Sequence, residues 1–117
     1  MPVRSLTSSV LKWPDHRAVR DAVQRWARDM AAARPELRRV GYFGSYARGD
    51  WGVGSDVDLI LIVTDADPAV TRRAATWDTT RLPVPADVLV YTDAEWARVS
   101  QTPPFGSRIA REVCWVQ

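Results

Sequence analysis

Asp56-Val57-Asp58-Leu59-Ile60-Leu61-Ile62-Val63 is the stretch on which the reading of this chain turns. Val57 and the run Leu59 to Val63 are apolar at consecutive positions, without polar alternation. That pattern predicts a strand buried on both faces, lying centrally in a sheet covered on both sides. The two acids at its start break the pattern. On a strand, residues i and i+2 point to the same face with Cα atoms roughly 7 Å apart, so Asp56 and Asp58 project together. Unpaired they would repel, and burial would raise their pKa values. Two readings are open at this point: turn residues at an exposed strand start, or a carboxylate pair neutralised by a divalent cation.

Working outward, Arg38 to Phe43 reads as a short strand halted by Gly44. The segment Gly44 to Ser55 carries four glycines in twelve residues, so the backbone there bends sharply or approaches something closely. Gly44-Ser45 follows a strand and precedes a turn expected to become helical; free N–H groups and a small hydroxyl there suit a phosphate cradle. Downstream, Ala86 to Tyr91 predicts a third strand, with Asp87 near its start. If it pairs beside Asp56 to Val63, three carboxylates converge at one sheet edge. Three carboxylates suit a two-metal site, with ions about 3.5–4 Å apart clamping the oxygens of a phosphoryl displacement.

The remaining elements frame this centre. Asp15 caps a helix whose buried stripe is Val19, Val23, Trp26 and Met30, ending near Pro35. Asp67-Pro68 predicts another helix start, with Val70, Ala74 and Trp77 facing inward. Thr92-Asp93-Ala94-Glu95 fits a capping box. Ser107 to Gln117 is a short helix, or a helix running into a strand at Val113 to Val116. Residues 1–14 form an N-terminal arm or an edge strand over Ser8 to Trp13. The expectation is one domain over residues 1–117, a small α/β or α+β sandwich.

Composition narrows the chemistry. One histidine (His16) and one cysteine (Cys114) exclude an internal disulfide and a Cys/His zinc site. The acids number 14, so a metal here would be held by carboxylates, which favours Mg²⁺ or Mn²⁺. The net charge is only +2, with arginines scattered among acids, so no direct nucleic-acid face is expected. Leu59 to Val63 is too short to span a bilayer, and Met1 to Val10 has no apolar signal region. A soluble, cytoplasmic protein is expected.

Gly44-Ser45, ten residues, then Asp56-Val57-Asp58, with Asp87 on a later strand, resembles the DNA polymerase β-like nucleotidyltransferase superfamily. The run from Phe43 to Asp50 and on through Ser55 to Leu59 is similar to its minimal nucleotidyltransferase branch. The resemblance implies a small mixed sheet flanked by helices, two Mg²⁺ ions and ATP as substrate. It implies that Asp56, Asp58 and Asp87 are catalytic and hold the metals, and that Gly44 and Ser45 hold the β/γ-phosphates, with Ser55 as a helper. It also implies an antitoxin role, with AMP transferred from ATP to a tyrosine of a partner HEPN RNase toxin. Two rivals remain: an antitoxin that masks its partner without catalysis, and a transferase acting on a small-molecule hydroxyl.

Other conspicuous residues carry simpler expectations. Arg48 either meets phosphate or pairs with Asp50. Tyr46 packs beneath the loop, while Trp51 either leans over a base or partner or folds back. Trp26, Trp77 and Trp96 belong to the core, and Trp13 and Trp115 face a partner. Cys114 is a buried, inert thiol, and His16 is exposed.

Overall fold

In the computed structural model, residues 13–64 and 76–117 are described. The expected helix start at Asp67-Pro68, with Val70 and Ala74, lies outside the described residues, as does nearly all of the N-terminal arm. The elements are α1 (His16–Ala33), β1 (Leu37–Phe43), α2 (Ser45–Arg48), β2 (Val57–Val63), β3 (Ala86–Thr92), α3 (Asp93–Val99), α4 (Phe105–Glu112) and β4 (Cys114–Trp115). The sheet order is β3-β2-β1-β4. β1 runs antiparallel to β2 and to β4, and β2 runs parallel to β3, so the sheet is mixed and the fold α+β.

β2 is interior, as its apolar run demands, and side-chain alternation sorts it between two cores. Val57, Leu59, Leu61 and Val63 face one cluster with Val40 and Tyr42 of β1 and Val19, Val23, Trp26 and Ala27 of α1. Ile60 and Ile62 face a second cluster with Phe43 and with Ile109 of α4. All six apolar residues of β2 are fully buried. Burying each such side chain is worth about 1.5–3 kcal/mol, which makes this strand the anchor of the fold.

Local signals account for the element ends. The Asp15 side chain accepts from the Ala18 N–H at 2.9 Å and starts α1. The Thr92 hydroxyl accepts from the Glu95 N–H while the Glu95 carboxylate accepts from the Thr92 N–H, completing the capping box of α3. Trp26 is core, and its indole N–H donates to the Asp78 carbonyl at 2.7 Å, tying α1 to the segment that leads into β3. Trp77 is also buried, beneath the Arg34 guanidinium.

Several side chains depart from expectation. His16 is half-buried, with Nε2 hydrogen-bonded to the Tyr42 hydroxyl at 2.8 Å. Burial pushes the Tyr42 phenol up to about 12. Cys114 is only half-buried, opposite Tyr42 on β4. Trp115 is half-buried: Arg39 lies 3.6 Å over its ring and Trp96 meets it edge-on. Trp13 packs against the larger core. Trp96 is partly rather than fully buried, stacked on Tyr91 and edge-on to Trp115. Among the described residues no helix is long and apolar enough to cross a membrane.

Candidate active site

The site forms where β1 ends and β2 begins. Gly44 closes β1 at φ 77°, ψ −150°, a backbone region open essentially to glycine alone. A Cβ on Gly44 would fall on the Asp58 carboxylate, so the glycine lets that carboxylate lie against the main chain. α2 follows at once: the Gly44 carbonyl accepts from the N–H groups of Ala47 and Arg48 at 3.0 and 2.9 Å. Gly49, left-handed at φ 88°, stops the helix after four residues. Tyr46 anchors this short turn. It is fully buried, donates to the Pro14 carbonyl at 3.0 Å, and stacks on Trp51 with centroids 5.6 Å apart. Trp51 therefore folds back onto the loop's own tyrosine.

Asp58 sits on β2 opposite Phe43 of β1 on one side and Asp87 of β3 on the other. Parallel pairing in this register puts Asp58 and Asp87 side by side on one face of the sheet. Asp56 precedes Asp58 by two residues, just before the strand. Asp58 is half-buried, whereas Asp56 and Asp87 are exposed. Burial first, then the charges of Asp87 and Asp56, lift Asp58 above the usual carboxylate range; Glu112 adds to the rise and Arg48 opposes it. Asp58 thus feels both of the other carboxylates. Among the described residues, however, no three His, Cys, Asp or Glu side chains are gathered into a ready ligand set. The donor chemistry, oxygen-only and mutually repelling, fits a hard divalent cation that would relieve the repulsion.

The other expected residues have definite places. Ser45 is half-buried at the first position of α2. The Ser55 hydroxyl accepts from the Gly52 N–H at 2.8 Å, bracing the turn that leads to Asp56. Arg48 pairs with Asp50 at 3.0 Å, one of its two expected roles. It also meets a residue that sequence reasoning missed. Glu112, at the end of α4, accepts through Oε1 from the Gly44 N–H at 2.7 Å and from Arg48 Nη1 at 3.1 Å. No local pattern in the sequence marks Glu112, because its partners lie 68 and 64 residues away. Beside Asp87 an open cleft of about 700 Å³ runs along β3, lined also by Trp77, Asp78, Thr79 and Thr80.

Residues 23–104 match the family described as the nucleotidyltransferase domain. The fold is similar to that of a Sulfolobus solfataricus protein assigned as a nucleotidyltransferase. That match has a TM-score of 0.61 and 19% identity, covering 86% of this chain and 80% of that one. It is also similar to a toxin–antitoxin crystal structure with AMP-PNP, at TM-score 0.54 and 18% identity over 84% of this chain and 72% of that one. A variant of the toxin–antitoxin pair MntA–HpeT gives TM-score 0.55 and 16% identity over the same shares, 84% and 72%. Among curated proteins, none matches the chain significantly.

Proposed function

This chain belongs to the nucleotidyltransferase domain family, and we propose that it transfers AMP from ATP to a tyrosine hydroxyl of a partner HEPN-type RNase toxin. The observation that carries the reading is the side-by-side register of Asp58 and Asp87, with Asp56 adjacent and Gly44 against the Asp58 carboxylate. The similarity to two toxin–antitoxin structures, one with AMP-PNP, supports the partner and the nucleotide.

In this reading Asp56 and Asp58 would hold the metals that bind the triphosphate, and Asp87 would complete the nucleophile-side metal site. Two bound Mg²⁺ ions would supply charge neutralisation and polarise the phosphate oxygens. Gly44 and Ser45 offer backbone and hydroxyl donors to the β/γ-phosphates, Arg48 adds a cation, and Ser55 keeps the approach to Asp56 in shape. The acceptor oxygen attacks the α-phosphorus in line. Its proton passes to Asp87, a P–O bond to AMP forms, and the bond to the bridging oxygen breaks to release pyrophosphate. Positioning and electrostatics supply most of the rate.

The test is incubation of the chain with Mg²⁺, each α-labelled nucleoside triphosphate and the product of the neighbouring gene. Label in the partner's band is expected. Full neutralisation of the partner without label transfer would assign the protein to masking instead. The cleft beside Asp87 favours one second reading, a small-molecule hydroxyl as acceptor. Label appearing on an aminoglycoside-like compound and not on the partner would decide for it.

A further inference from the structure

Glu112 holds the donors that the nucleotidyltransferase reading assigns to phosphate. Its carboxylate accepts from the Gly44 N–H at 2.7 Å and from Arg48 Nη1 at 3.1 Å, and its side chain is only 13% exposed. A further negative charge near Asp58 is electrostatically unfavourable, and among the described residues the Gly44 N–H and Arg48 are the donors that offset it. We propose that Glu112 is a built-in competitor of the triphosphate: its carboxylate occupies the anion seat of the nucleotide-free chain, and a phosphate oxygen must displace it. This inference rests on the nucleotidyltransferase reading.

The two donors differ in what they can share. A guanidinium has five N–H groups, so Arg48 can hold Asp50 and still reach a phosphate. Gly44 has a single N–H, which serves one acceptor well, and Glu112 has it. Displacement does not require α4 to move. Ile109, one turn earlier, is fully buried in the second core and keeps the helix seated while the Glu112 side chain swings out. The opposite role would be a brace, in which Glu112 pre-shapes the loop for nucleotide. The two roles predict opposite signs when Glu112 is removed.

The experiment is calorimetric titration of the full chain with Mg²⁺ and each of the four nucleoside triphosphates as non-hydrolysable analogues. Glu112→Ala should bind about tenfold more tightly than the unchanged chain, equivalent to about 1.4 kcal/mol. Glu112→Gln, which keeps an acceptor for the Gly44 N–H but loses the charge, should gain about threefold. Asp50→Asn removes a charge from Arg48 without freeing Gly44, and should gain less than Glu112→Gln. Unchanged or weaker binding by Glu112→Ala, in protein that melts cooperatively, overturns the competitor role. So does an equal gain in Asp50→Asn, which would assign the effect to net charge. If Glu112→Ala does not fold, Glu112→Gln decides between competitor and brace by the same sign. If neither the unchanged chain nor any variant binds a nucleotide, the nucleotidyltransferase reading itself fails. Binding by the unchanged chain with no gain in the variants overturns this inference alone.

Discussion

Replacing Asp58 with asparagine should destroy transfer and, without metal, make the protein more stable. Asp58 lies beside Asp87 across adjacent parallel strands, and such strands are about 4.8 Å apart. Two unit charges at about 5 Å repel by about 3 kcal/mol at an effective dielectric near 20, and by about 0.8 kcal/mol in water. Because Asp56 and Asp87 are exposed, the lower end applies, and relief of about 1 kcal/mol is expected. For a domain of this size that raises the melting temperature by about 4 °C.

The sign follows from the direction of the shift. Asp58 is held above its ordinary value near 3.8, first by burial and then by Asp87 and Asp56. Folding therefore favours the protonated form, and the cost is absent below about 3.8. It grows as pH rises through the folded pKa. Melting curves in chelator should show the parent and Asp58→Asn equal in acid and separating toward neutrality, with the variant higher. Excess Mg²⁺ and ATP should invert the order, since at 100 times Kd a ligand that only the parent binds adds about 2.7 kcal/mol. Transfer should fall by about 10³-fold or more. A variant less stable than the parent in chelator at neutral pH would refute the electrostatic account of the site.

Gly44→Ala forces a side chain into a glycine-only backbone region and onto the Asp58 carboxylate. A stability loss of about 1–3 kcal/mol is expected, with transfer falling at least about 10²-fold. Full transfer by this variant in steady-state assays would exclude close approach at Gly44 as a requirement. Thr92→Ala removes the hydroxyl that caps α3 and should cost about 1 kcal/mol in denaturant unfolding while leaving nucleotide binding unchanged. A loss of binding would tie α3 to the site.

What the sequence made legible was whatever depends on near neighbours. The apolar run of β2 announced an interior strand because hydrophobic pattern reports burial directly. The Thr92–Glu95 capping box and the Asp15 cap were readable because cap and partner lie three residues apart. Gly44 and Ser45 were readable as a loop feature, though the conformation that presses Gly44 against Asp58 was not. Contacts between distant segments stayed hidden. Glu112 reaches Gly44 across 68 residues, and the Tyr42 hydroxyl captures His16 across 26. The cover of Trp115 stayed hidden for the same reason: it is Arg39, from a distant part of the chain. Arg48 kept two readings, since an arginine beside an aspartate in a turn serves either purpose.

The glycine-rich connection between α2 and β2 has a consequence for how this chain tolerates changes in length. A Cβ added at Gly49, Gly52 or Gly54 would meet nothing within 4 Å, although Gly49 and Gly54, both at φ 88°, hold a backbone that favours glycine. One residue inserted after Val57 is another matter. It would either turn Asp58, Ile60 and Ile62 together toward the Val57 and Leu59 face or, if they keep their places, displace Val57 and shift Asp56 relative to Asp58, because strand side chains alternate strictly. The seven residues of β2 are therefore fixed in number as well as kind. A change of length inside this strand therefore reaches the carboxylates directly, by altering which face they share.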